Sequence, residues 1–287
     1  MKVFDFTKIK TTEKELNEKW LLDCIKEMGK QEVLFQNECQ FQFALAWAIQ
    51  NFFDKKYTIS LEDFTFSNES IKIERWYTDI IVVDNETKDC IAIELKYKTS
   101  EIQANGKSIL LEQGAQGFGR FDFLWDVNRN EMLIFGQQKL ADEQLVINYS
   151  NSTRRIPIVF DASKCSLQRR GQIKVAYSII LTNCKKYWED TKRPCQDEDF
   201  KITDNKVISK GVLLQWKLEN GEIKSNDIRD KERGRALKFL SSYNCCWKDY
   251  CKFKFNSILK QGKRKTTKID NNQFKFLIFE TKIKNNP

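Results

Sequence analysis

Residues 76–98 read WYTDIIVVDNETKDCIAIELKYK, and this stretch limits the fold more than any other part of the chain. Two β-branched apolar runs, IIVV and CIAI, flank the polar, turn-forming segment DNETKD, which is the pattern of a β-hairpin. A turn centred between Glu86 and Thr87 puts Val83 opposite Cys90 and Asp79 opposite Glu94. Directly opposed residues of antiparallel strands have Cβ atoms roughly 4.5–5.5 Å apart. Side chains alternate along a strand, so Lys96 shares the face of Glu94 while Leu95 points the other way. Asp79, Glu94 and Lys96 are therefore expected at one spot, and a register shift of one residue would separate them.

Two carboxylates at that spacing repel by about 3 kcal/mol at an effective dielectric near 20. Lys96 offsets part of this, and a divalent cation that prefers oxygen ligands offsets more. Mg²⁺ held by one or two carboxylates together with a substrate phosphate is a usual arrangement for phosphoryl chemistry.

Composition narrows the chemistry further. The 287 residues contain no histidine, which excludes Ser-His-Asp hydrolysis, histidine-ligated zinc and nucleases with a histidine base. Any hydrolytic site must rest on carboxylates, lysine and a hard metal. Nine cysteines, an odd number with no C-x-x-C, fit a reduced, cytoplasmic protein with free thiols. No apolar run approaches the roughly 20 residues of a membrane span, and MKVFDFTKIK lacks a signal-peptide core. The net charge of +9 is uneven: residues 231–287 carry 15 basic and 4 acidic side chains, +11, leaving −2 for the rest. A basic C-terminal quarter is the electrostatic signature of a polyanion partner.

With 3 prolines and 11 glycines, no flexible linker divides the chain. Amphipathic spacing predicts helices over 12–29 and 33–53, strands near 57–66, 71–83 and 90–98, and a helix over 109–128. A short strand is predicted at 132–136, with further strands at 156–160, 173–182, 211–218 and 274–283 and a helix at 231–240. The pattern gives an α/β fold with a mixed sheet, including a crossover from the 90–98 strand through the next helix to a later strand.

Two features stand near the hairpin. Glu38 falls on the apolar stripe Leu34, Phe41, Leu45, Ala48, Phe52, where a carboxylate is costly unless paired or bound to metal. Gln113, Gln116 and Arg120 share a face at i, i+3, i+7 in the segment after the E-x-K strand, with Gly114, Gly117 and Gly119 open to close approach.

A helix bearing Glu, a hairpin bearing Asp and E-x-K, and a following Gln-bearing helix together resemble the PD-(D/E)XK nuclease superfamily, the restriction-endonuclease-like fold. The resemblance covers residues 31–130. Thr78 stands where the pattern has proline, and the tyrosine four residues after the glutamine is absent, with Gly117 and Arg120 there instead. This leans away from RecB-like exonucleases and toward a restriction or defence endonuclease. It implies a nuclease-like core over 1–185, with the basic region 186–287 packed on that core or completing it. It also implies Mg²⁺, with Mn²⁺ as substitute, on Asp79, Glu94, the Leu95 backbone carbonyl and Glu38, with Lys96 orienting or deprotonating the attacking water. DNA is the implied substrate, contacted by Gln113, Gln116 and Arg120, and a homodimer would suit cutting of two antiparallel strands.

LQRRGQIK with Arg169 and Arg170, and LKQGKRKTTK with Lys263, Arg264 and Lys265, are further candidates for phosphate contacts. Cys245, Cys246 and Cys251 lack the ligand spacing of a zinc site and read as core residues. A non-catalytic nucleic-acid-binding protein on the same scaffold and an RNA-cleaving enzyme are the alternative readings.

Overall fold

A computed structural model describes residues 4–66, 76–104, 107–139, 146–147, 158–159, 172–190, 195–217, 237–254 and 272–283. The N-terminal part forms helices α1 (Glu18–Lys30) and α2 (Glu38–Phe53), then strands β1 (Tyr57–Phe66), β2 (Trp76–Asp84) and β3 (Cys90–Lys98). Helix α3 (Gln116–Lys139) follows, and the sheet is completed by β4 (Ile173–Thr182), β5 (Lys248–Lys252) and β6 (Gln273–Lys282). The six strands lie in the order β1-β2-β3-β4-β6-β5. Only β3 and β4 run parallel, joined through α3, and every other neighbouring pair is antiparallel.

The hairpin adopts the register its turn predicts, with Val83 opposite Cys90 and Ile80 opposite Ile93. Asp84 Oδ1 closes the turn by accepting the N–H groups of Glu86 and Thr87, each at 2.9 Å. β2 and β3 are apolar without alternation because both faces of the sheet are covered. Ile80, Val82, Ile93, Leu95 and Tyr97 pack toward α1 and α2, whereas Ile81, Cys90 and Ala92 pack toward Met132, Leu133 and Ile134 of α3. The α3 side is extended by Phe121, Phe123, Leu124 and Val127, which pack with Phe279 of β6 and residues of the segment 184–247. The result is a mixed α/β architecture in three layers. β5 and β6, from the C-terminal quarter, supply two strands of the central sheet.

Boundaries differ from the periodic reading where side chains set them. Asn17 and Asn37 accept the N–H groups of Trp20 and Gln40, so α1 and α2 begin later than predicted and Leu34 lies outside the helix. The strand predicted at 132–136 is instead the continuation of α3; a short apolar run buried on all sides carries no period to tell the two apart. Within the helix predicted at 231–240, Leu237–Lys238 pair as a strand with Leu213–Leu214, while 231–236 lie outside the described residues. The strand predicted at 156–160 is described only at Ile158–Val159. Cys245 is buried, Cys251 packs partly against the core and Cys246 is exposed. The far side of α2 leaves Phe43 and Trp47 exposed.

Candidate active site

Asp79 lies where two ladders break. Pairing between β2 and β3 stops at Ile80 and Ile93, and pairing between β1 and β2 skips Glu62, whose φ of 48° marks a local irregularity. Past this point β2 stays paired with β1 but forks away from β3, and side chains take over from the missing backbone partners between β2 and β3. The Leu95 N–H donates to Asp79 Oδ2 at 2.5 Å, and the Tyr97 N–H donates to Glu38 Oε2 at 2.7 Å. Gln42, one turn after Glu38, donates to the Asp79 carbonyl at 2.7 Å and to Glu62 Oε1 at 3.0 Å. Glu38 is the first residue of α2, so its carboxylate sits at the positive end of the helix while reaching into the fork. The Tyr97 hydroxyl donates to the Phe35 carbonyl at 2.6 Å and ties the approach to α2 onto β3.

By strand alternation Asp79, Glu94 and Lys96 continue the face of Ile81 and Ala92, toward α3. There they meet two side chains one helical turn apart. Lys96 Nζ lies 2.7 Å from Asp126 Oδ2 and donates to the Leu95 carbonyl at 3.2 Å. Arg129 Nη2 lies 3.0 Å from Glu94 Oε1 and donates to the Tyr77 carbonyl at 2.6 Å, while Nη1 lies 3.3 Å from Asp126 Oδ1. Glu94 and Asp126 are only 2% and 3% exposed. Their oxygens Glu94 Oε1 and Asp126 Oδ2 are within ion-pair distance of these cations, yet among the described residues no hydrogen-bond donor is aligned on either.

Among the described residues four carboxylates (Glu38, Asp79, Glu94, Asp126) thus surround two close cations (Lys96, Arg129), with Lys98 acting on Glu38 besides; if all four are ionised, the two close cations leave two negative charges uncompensated. Burial pushes the Asp79 carboxyl up to about 7; Lys96 and the Leu95 N–H pull against it, and Asp126 and Glu38 add to the push. Burial also raises Glu94, well above the usual range and against the opposing pull of Arg129. Glu38 is raised too, by burial and despite Lys96. For Lys96 burial works downward, but Asp126, Glu38, Asp79 and Glu94 outweigh it and the ammonium is held firmly charged.

The donor chemistry fits a hard divalent cation: oxygens only, an uncompensated charge, and two buried carboxylate oxygens without an aligned donor. The arrangement itself is not a formed site. Among the described residues no group of three or more Cys, Asp or Glu side chains is placed to hold a metal ion. The reason is visible in the partners. Asp79 and Glu38 are turned onto separate backbone amides, and Glu94 is turned onto Arg129.

Other expected residues fall elsewhere. Gln113 precedes α3, with its N–H on the Thr99 carbonyl, so it does not share a helical face with Gln116 and Arg120. Gln116 opens α3 and donates to Glu112 at 3.3 Å. Arg120 is buried away from the fork, paired with Asp197, bonded to the Lys186 carbonyl and stacked over Tyr187. Gly119 serves close packing, since a Cβ there would strike the Tyr187 hydroxyl. Arg169, Arg170, Lys263, Arg264 and Lys265 lie outside the described residues. Sequence reasoning missed Gln42, Asp126 and Arg129. A signal existed: Asp126 and Arg129 stand at i, i+3 amid the apolar residues Leu124, Val127 and Met132.

No protein-family model, curated protein or solved structure matches this chain. Among the described residues no helix is long and apolar enough to cross a membrane.

Proposed function

We propose that this chain is a metal-dependent deoxyribonuclease of the PD-(D/E)XK type, built on a restriction-endonuclease-like core and acting in restriction or defence. The observation that supports it best is the fork: Asp79, Glu94 and Lys96 share one face of a β-hairpin, and Glu38 reaches them from the preceding helix. The excess of buried carboxylate over cation there agrees with the reading, because such a cluster is best neutralised by a divalent ion. The parallel crossover from β3 through α3 to β4 is compatible with the proposed core.

Asp79, Glu94 and the Leu95 carbonyl, with Glu38 behind them, would hold Mg²⁺ or Mn²⁺. When bound, the ion would polarise a phosphodiester oxygen and lower the pKa of a coordinated water. Lys96, kept cationic by Asp126, orients that water and stabilises charge developing on the phosphate. Gln42 fixes the backbone at Asp79, so the carboxylate stays in the fork. The basic segments around 169–170 and 263–265 would track the DNA backbone, which places the strand without reading its sequence.

One observation favours the non-catalytic alternative. Glu94 and Lys96 each lie within ion-pair distance of an opposite charge on α3, as they would in a scaffold that binds nucleic acid without cutting it. The two readings separate on supercoiled plasmid. With Mg²⁺ or Mn²⁺ the wild-type chain is expected to nick or linearise it, and Asp79→Asn and Lys96→Ala are expected to lose about 100-fold or more in rate. Identical behaviour of wild type and variants, with retention of DNA in a gel shift, would leave only the binding function. An RNA substrate in parallel distinguishes the ribonuclease reading.

A further inference from the structure

Arg129 occupies a position that the proposed chemistry does not explain. Its guanidinium lies within 3.0 Å of Glu94, the most buried carboxylate of the fork, although that oxygen has no aligned donor. The same guanidinium has further anchors, among them the Tyr77 carbonyl at 2.6 Å and Asp126 Oδ1 at 3.3 Å. It can therefore yield Glu94 and remain at the site. Both Arg129 and a divalent cation are suited to Glu94, and a carboxylate turned onto a guanidinium is withheld from a metal.

Resting on the nuclease reading above, we propose that Arg129 is a resident counter-ion of Glu94 that the catalytic cation displaces, and that the released guanidinium then holds the scissile phosphate. Displacement accounts for the contact itself: Arg129 stands 3.0 Å from the carboxylate that the reading above gives to the metal. It also couples metal binding to substrate binding. Before the exchange Arg129 stands against Glu94; afterwards the N–H groups that faced Glu94 are available beside the metal, suited to a phosphodiester oxygen.

The test is Mn²⁺ binding to the full chain, measured by titration calorimetry without DNA. Removing the competitor in Arg129→Gln is expected to tighten Mn²⁺ binding by about tenfold. The same variant is expected to lose about 100-fold in plasmid cleavage. Should Arg129→Gln fail to fold, Mg²⁺ titration of the ¹⁵N-arginine-labelled wild type reads the same event, with the Arg129 side-chain resonances expected to shift at saturation. Mn²⁺ affinity unchanged or weakened in Arg129→Gln, or Arg129 resonances that ignore Mg²⁺ while the wild type binds it and cuts DNA, overturns the exchange and leaves the nuclease reading standing. Failure of wild type and variant alike to bind Mn²⁺ overturns both.

Discussion

A carboxylate excess in the fork makes an unusual demand on stability: losing a cation should hurt more than losing an anion. Lys96→Met and Asp126→Asn break the same 2.7 Å ion pair from opposite ends. In Lys96→Met the buried Glu94 and Asp126 and the part-buried Glu38 and Asp79 keep Arg129 as their close cation among the described residues, with Lys98 acting on Glu38, and the shortfall grows by one charge. Removing one member of a buried pair costs about 3–5 kcal/mol, and this is the expected loss. Asp126→Asn also loses the 3.3 Å contact to Arg129, but it relieves repulsion with Glu38, Asp79 and Glu94, and the shortfall falls by one charge. Each such repulsion at a few ångströms is worth about 3–4 kcal/mol at an effective dielectric near 20, enough to offset most of the lost attraction. A net cost of about 1–2 kcal/mol is expected for Asp126→Asn.

Urea unfolding at pH 8 with divalent ions chelated measures both directly, provided the slopes of the transitions agree. Mg²⁺ should then narrow the gap between the variants, because it restores the missing charge. If Asp126→Asn proves as destabilising as Lys96→Met, the carboxylates of the fork are not in uncompensated excess. The electrostatic support for a divalent ion would go with that result.

Three further outcomes are expected. Burial raises the Glu131 carboxyl to about 7, outweighing the N–H groups of Leu240 and Ser241 and the Tyr243 hydroxyl that bind it. A folded pKa above the ordinary 4.5 means the native state holds the extra proton, so this contribution is full below pH 4.5 and is lost as pH rises through about 7. Chemical denaturation from pH 4.5 to 8 should show a steeper decline in wild type than in Glu131→Gln, where the raised carboxyls of the fork remain. Gly119→Ala drives a methyl group into the Tyr187 hydroxyl and should cost about 1–3 kcal/mol, read as a drop in Tm; an unchanged Tm would show that the contact gives way easily. Gln42→Leu leaves the part-buried Asp79 carbonyl without its 2.7 Å donor and should cost about 1–3 kcal/mol in urea unfolding, whereas a neutral result would mean that water replaces the donor.

The hairpin was readable because its information is local. A turn sequence and two apolar runs set the register, and register together with alternation sets which side chains share a face. Asp79, Glu94 and Lys96 therefore fall on one strand face, although the β2–β3 ladder ends at Ile80 and Ile93, one pair short of setting Asp79 directly opposite Glu94. Glu38 was readable for a similar reason, since a carboxylate on an apolar stripe needs a partner, although its partner, the Tyr97 N–H, was not. Arg120 misled for the opposite reason. Its spacing after Gln116 is helical, but the charge that receives it, Asp197, lies 77 residues further on. Spacing within one element says which side a residue faces and nothing about what stands there.

The same limit explains why Asp126 and Arg129 went unseen, and it shows how they could have been found. Once Asp79, Glu94 and Glu38 are inferred to share a buried corner with a single lysine, the charges do not balance, and a buried imbalance is too costly to persist without counter-ions. The covering helix must supply them or a bound ion must. The crossover connection names that helix as the one between β3 and β4, and within it Arg129 is the cation that stands among buried apolar neighbours and is not taken by Asp197. Balancing charge over a predicted sheet face, rather than extending a motif by spacing, is therefore the step that carries a reading from the hairpin to the helix.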